Sequence, residues 1–196
     1  MQKRILSMFL CLTMLFGIIP IGVSAEEENG GIAEYAANVA TVTLNGDSST
    51  ETAYSDIEAA FTAAQTADSA EIKLTGDADL GSNNVVLKSG NITLDLNGCT
   101  LSGSYDNDDR GFIMLGANKY PKEETVTLTV CDKSSSADGK ITNLCRGAYT
   151  PVIYLCSGNA DLKVLSGTVE MTKNQTESSM SAVIYAEHGT ATVSGG

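Results

Sequence analysis

The densest group of potential ligands in the chain is Asp106-Asn107-Asp108-Asp109-Arg110-Gly111. Calcium takes oxygen donors from alternate positions of a short loop, with a glycine at the sixth position for the sharp turn and an acid at the twelfth. Asp106 and Asp108 supply a D-x-D start, Asp109 adds a carboxylate and Gly111 stands sixth. Arg110 occupies the fifth position and Ala117 the twelfth, so two ligands are missing. Asp106, Asp108 and Asp109 are therefore the metal candidate of this chain, for calcium, and the departures favour the competing reading of a solvated loop between strands. Glycine-rich nonapeptide calcium repeats are absent.

Other chemistry is sparser. Asp95 lies in an alternating stretch, opposite in phase to Ile92, Leu94 and Leu96, and is expected on a polar outer face. His188 is the only histidine and sits beside Gly189, with no nucleophile or acid arranged near it in sequence; a surface turn is its expected place. Tyr105, Tyr120, Tyr149, Tyr154 and Tyr185 could supply a sugar-stacking surface. Tyr154 and Tyr185 hold matching places in a repeat, described below, and are expected to stack on each other. No phosphate-cradling glycine loop, zinc helix or nucleophile elbow is present. The expectation is no catalytic residue and no cofactor beyond the calcium candidate.

Five cysteines occur, of which Cys11 falls in the first 25 residues. Cys99, Cys131, Cys145 and Cys156 permit disulfides in an exported chain. Their spacing is irregular, no C-x-x-C occurs, and Cys99 and Cys131 end strand-like segments among apolar neighbours. Small buried core residues are favoured over bridges.

The elements that would position these groups begin with an export signal. Met1-Gln2-Lys3-Arg4 is a short positive start, Ile5 to Ile21 is apolar, and Gly22-Val23-Ser24-Ala25 precedes Glu26-Glu27-Glu28. This is the pattern of a cleavable signal peptide over residues 1–25. A membrane anchor is the alternative on length alone, and Pro20 with the Val-Ser-Ala exit argues for cleavage. The chain carries 12 basic and 24 acidic residues, a formal charge of −12. Losing Lys3 and Arg4 and no acid takes it to −14, which argues against nucleic acid and anionic membrane surfaces as partners. The charge is widely spread, as on a soluble surface protein.

Residues 26–40 read as a flexible acidic leader. Thr41-Val42-Thr43-Leu44 begins an alternating strand. Ser55 with Glu58 makes a capping box, and Ile57, Phe61 and Ala64 share one face of a helix expected over 56–66. From there the chain alternates strand and turn. Residues 41–90 are expected to form an N-terminal cap of strand, helix and strands, and 91–196 the coils of a solenoid. The reason is internal repetition. Gly111–Gly116, Pro151–Leu155 and Ala182–Ala186 are versions of one segment, each followed by an alternating strand: Thr125–Val130, Ala160–Val164 and Thr190–Val193. A turn follows each, expanded after the first to the polar loop Asp132–Gly139. Strands this short cannot bury an apolar face alone. Stacking would line up Ile92, Leu94, Val126, Leu128, Leu162, Val164, Ala191 and Val193 in a shared core. An antiparallel sandwich also uses short strands but does not predict a recurring strand–strand–turn unit.

Ile92-Thr93-Leu94-Asp95-Leu96-Asn97-Gly98-Cys99-Thr100-Leu101 resembles the I-T-L-D-L-N-G-x-T-L segment of large secreted or wall-attached proteins of Gram-positive, often gut-dwelling bacteria. Those proteins have a pectate-lyase-like right-handed β-helix. Tyr54–Phe61 and Ile72–Asp77 resemble their N-terminal cap, and the likeness spans roughly residues 41–196. It implies an all-β chain folded as a right-handed parallel β-helix with a short capping helix, and a protein located in the secreted or cell-surface compartment. The fold hosts both adhesins and enzymes.

Two functions are therefore expected. The first is a non-catalytic structural or adhesive surface module contacting polysaccharide, cell wall or host matrix. The second is the N-terminal part of a polysaccharide lyase or glycoside hydrolase. Ser194-Gly195-Gly196 falls inside a repeat, so the coils are expected to be C-terminally incomplete.

Overall fold

The computed structural model describes residues 36–107, 110–117, 125–145, 150–173 and 182–195. Among these the chain is mostly β-sheet with one α-helix, and nearly all strand pairing is parallel. β1 (Ala40–Leu44) pairs antiparallel with both β2 (Thr52–Tyr54) and β3 (Ser69–Leu74). Ala40, placed in the leader by sequence, belongs to β1 and is fully buried; the Val39 N–H already donates to the Tyr54 carbonyl at 2.8 Å.

The next strands are β4 (Ala78–Asp79), β5 (Val85–Leu87), β6 (Gly90–Asp95), β7 (Thr100–Gly103) and β8 (Ile113–Leu115). They are followed by β9 (Val126–Cys131), β10 (Lys140–Cys145), β11 (Ile153–Leu155), β12 (Ala160–Val164), β13 (Thr168–Lys173), β14 (Ile184–Ala186) and β15 (Thr190–Val193). Three sheets collect them in strict rotation. The first has the order β15-β12-β9-β6-β3-β1-β2, the second β13-β10-β7-β4 and the third β14-β11-β8-β5. From β3 onward every third strand lies beside its predecessor, parallel and without slippage. Within residues 41–90, β3, β4 and β5 each pair in parallel with a later strand of one of the three sheets, whereas β1 and β2 pair antiparallel.

Alternation explains the register. In the first sheet Ala70, Ile92, Leu128, Leu162 and Ala191 form one inward row, and Ile72, Leu94, Val130, Val164 and Val193 the next. A one-residue slip would turn both rows to solvent. The third sheet contributes Val85, Ile113, Ile153 and Ile184. The second adds Ala78, Leu101, Ile141 and Val169. These rows converge on one continuous core. Ala191 and Val193 sit in their expected rows yet are exposed, Val193 by 60%, because β15 is an edge strand whose one partner among the described residues is β12.

The helix α1 (Ile57–Ala64) buries Ile57, Ala60, Phe61 and Ala64 and packs against β1, β2, β3 and β5. Its cap is Asp56, not the Ser55 expected from the Ser–Glu spacing. Asp56 is extended and its Oδ1 accepts the Glu58 N–H at 3.0 Å; a carboxylate satisfies that free donor and also complements the positive helix end. No helix of the described residues is long and apolar enough to cross a membrane. Residues 1–25, the expected signal peptide, lie outside the described residues.

Two glycines illustrate different needs of the backbone, a left-handed turn and a close approach. Asn97 and Gly98 turn the chain from β6 into β7 with φ of 47° and 78°, a left-handed pair that Asn-Gly adopts readily. At Gly103 an added Cβ would fall 2.2 Å from the Phe112 ring.

Candidate functional site

The outer face of the first sheet carries the polar residues of the same alternation. Thr41, Lys73, Asp95 and Cys131 form one cross-strand row; Thr43, Glu71, Thr93, Thr129, Lys163 and Thr192 form the next. Near β1 these rows floor a groove of about 310 Å³, with Glu51 on one wall and Asn97 and Lys133 on the other. Glu51 is placed by a 3₁₀ turn over Ser48–Thr50, which Asp47 caps by accepting the Ser49 N–H at 2.9 Å. Thr50 ties that turn back to β1, its Oγ1 accepting the Leu44 N–H at 2.8 Å.

The opposite wall is built by the loop after β9. Asp132 Oδ1 accepts the N–H groups of Gly98 and Ser134, both at 3.0 Å, and Oδ2 accepts that of Gly139 at 2.6 Å. The Asp132 N–H donates to Ser166 Oγ at 2.7 Å. The carboxylate thus closes the loop on itself and fastens it to the Asn97-Gly98 turn, while the backbone of Asp132 ties it to Ser166. Burial pushes the Asp132 carboxyl up, but the bonds from Ser134, Gly139 and Gly98 outweigh it and hold the group below the usual carboxylate range.

That fastening brings Lys133 over Asp95. Asp95 faces outward, as its phase requires, but only 2% of its surface is exposed. The expected solvated position is corrected: the Lys133 and Asn97 N–H groups both donate to Oδ1 at 3.0 Å and the loop covers the residue. The Lys133 ammonium bonds the Glu71 carboxylate, which raises its pKa. Asn97 is fixed in turn, its Nδ2 donating to the Leu74 carbonyl at 2.9 Å.

The two thiols near this site are both held toward the protonated form. Cys131 is buried and Cys99 half-buried; burial first, then Asp95 beside Cys131 and Asp77 beside Cys99, raises both thiols and disfavours the nucleophilic thiolate. Cys156 is buried, its thiol donating to the Gly116 carbonyl at 2.9 Å. Cys145 lies in β10, with its side chain outside the described residues.

A second outward row runs along the third sheet: Val86, Met114, Tyr154 and Tyr185 stand in register. The Tyr154 and Tyr185 rings stack at 5.4 Å between centroids and 26° between planes, as their repeat positions predict. Tyr154 is buried, and its hydroxyl donates to the Glu187 carboxylate. Burial, with that carboxylate, pushes the phenol well above its usual range. Tyr185 is 49% exposed.

The calcium candidate is only partly within the described residues. Asp106 is exposed, while Asp108 and Asp109 lie outside them. Asn107 is anchored by Thr150, whose Oγ1 accepts its N–H at 3.2 Å and donates to its carbonyl at 3.1 Å. No three acidic, histidine or cysteine groups are arranged for a metal among the described residues. Tyr105, offered as stacking surface, is instead buried: its N–H donates to Asn143 Oδ1 and its carbonyl accepts from Asn143 Nδ2, each at 2.9 Å. Tyr120 and Tyr149 lie outside the described residues. His188 sits in the turn between β14 and β15, its N–H donating to the Leu155 carbonyl at 3.3 Å.

The groove is the residue cluster that sequence reading missed. Its signal was available as T-x-T, E-x-K and T-x-D (Thr41 and Thr43, Glu71 and Lys73, Thr93 and Asp95) at the same phase of three strands, but the side wall comes from a distant loop. Comparison with protein-family models, curated proteins and solved structures found no match.

Proposed function

We propose that the chain is a right-handed parallel β-helix acting as a non-catalytic structural or adhesive module at the cell exterior, in contact with glycan. The observation that carries this reading is the unbroken register of the outward rows, from Thr43 through Thr192 on one sheet and from Val86 to Tyr185 on another. Rotation through three parallel sheets supports the β-helix, and equal strand spacing turns its sides into long, flat, polar or aromatic strips suited to extended polymers. The positive, apolar and small-residue pattern of residues 1–25 supports export. A binding screen against wall and host-matrix glycans and matrix proteins tests the reading; binding of at least one polymer is expected, and a blank screen overturns the adhesive part.

A second reading, a polysaccharide lyase or hydrolase on the same fold, is favoured by one observation: Glu51, Glu71 and Asp95 line a common groove. Acid–base work needs two available carboxylates; Glu71 is engaged by Lys133, which leaves Glu51 and the partly bonded Asp95 for that role. Incubation with acidic and neutral polysaccharides, with and without calcium, separates the readings. New reducing ends or unsaturated products support the enzyme, and their absence removes it.

A further inference from the structure

We infer that the groove over β1, β3 and β6 is a binding site for a sugar unit that carries no negative charge; the inference rests on the glycan-contacting reading above and gives it a place and a ligand class. It starts from Asp95. Both donors that reach this carboxylate converge on Oδ1, and Oδ2 has no donor among the described residues. A carboxylate this buried normally has its oxygens satisfied. No fully buried side-chain oxygen or nitrogen of the described residues is left without a partner, so Oδ2 keeps an opening to solvent. Asp95 lines the groove, and that is the open side. The fold therefore holds a fixed acceptor, almost wholly removed from water, at the floor of a concave surface.

The remaining groups define the ligand. Glu71 and Lys133 neutralise each other. Glu51 and Asp95 remain as acceptors, Lys73 as a donor, and the Thr41 and Thr43 hydroxyls as either. A sugar diol matches this mixture, one hydroxyl donating to a carboxylate while its neighbour accepts from the ammonium. An amine-bearing sugar fits as well, because the unpaired groups sum to one negative charge. A uronic acid would set its carboxylate against Asp95 and Glu51, where reduced solvent strengthens repulsion. The volume, about 310 Å³, is at the small end of the roughly 300–1,000 Å³ usual for ligand pockets, which suits a short glycan segment.

The test is calorimetric titration of the full chain with hexamers of β-linked glucose, of glucosamine and of galacturonate. Binding of glucose or glucosamine hexamer, with none of galacturonate hexamer, is expected. Asp95→Asn should weaken it by about tenfold or more, the usual loss for a hydrogen bond to a charged acceptor. Because Asp95 also holds two backbone N–H groups, Glu51→Gln and Thr43→Val provide variants that leave those bonds alone; each should weaken binding about threefold. Equal binding of galacturonate hexamer, or binding unchanged in all three variants, overturns the inference. Binding that survives the groove variants but is lost in Tyr185→Ala contradicts the groove and leaves the glycan reading standing. Binding to a matrix polypeptide but to no hexamer also overturns the groove, and binding to nothing overturns both.

Discussion

The backbone N–H of Lys133 donates to Asp95 Oδ1 at 3.0 Å, across 38 residues of sequence. This bond turns an outward-facing strand position into a covered one and makes a wall where the sheet alone would be flat. It depends on Asp132, the next residue back, which secures the loop to Gly98, Ser134 and Gly139.

Asp132→Ala should therefore cost more than an ordinary surface change. Three N–H groups lose an ionised acceptor, and a loss of about 2–3 kcal/mol is expected in urea unfolding. Asp132→Asn, which keeps an acceptor at one position, should lie between the two. Equal stability of wild type and Asp132→Ala would contradict the latch.

The same carboxylate sets a pH dependence. Its folded pKa is lowered, so its contribution is present above the unfolded value, about 3.9, and is lost as pH falls through the folded value. Melting temperature should decline on acidification below about pH 4, and Asp132→Asn should flatten that decline. The melting curves of the two proteins from pH 5 to pH 2 give the comparison.

The inward rows predict a contrast between equivalent positions. Leu128 is fully buried between Ile92 and Leu162, and Leu128→Ala should cost about 2–5 kcal/mol. Val193 continues a neighbouring row but is 60% exposed, so Val193→Ala should change stability by less than about 0.5 kcal/mol. Equal losses would show that the register is not as described.

Tyr154 offers a spectroscopic check. Its phenol is held protonated by burial and the bond to Glu187. In alkaline titration followed by phenolate absorbance it should ionise only well above the ordinary phenol range, with unfolding. Tyr154→Phe should remove that late component; its persistence would contradict the assignment.

Much of this fold was legible because alternation has a period of two: Ile92, Leu94, Leu128, Leu162 and Val164 could be assigned to one face from their spacing. Tyr154 and Tyr185 could be paired because they recur in the same unit. Asp95 shows where such reading stops. Its phase gave the correct face, but its burial comes from a loop whose length looked like an insertion and whose attachment depends on one carboxylate. Tyr105 was misplaced for a similar reason, since Asn143, far along the chain, draws its backbone inward. The helix cap moved by one residue because Ser55 and Asp56 are both competent caps and only local geometry selects between them. The groove combines these effects: its floor follows from periodicity, and its wall from tertiary contact.

The central claim, a surface module that binds glycan without cleaving it, is tested most directly by cosedimentation of the full chain with insoluble neutral and amine-bearing polysaccharides, with reducing ends measured in the same tubes. The account predicts saturable binding and no rise in reducing ends over the incubation. Absence of binding to every polymer, or binding accompanied by steady release of reducing ends, would contradict it.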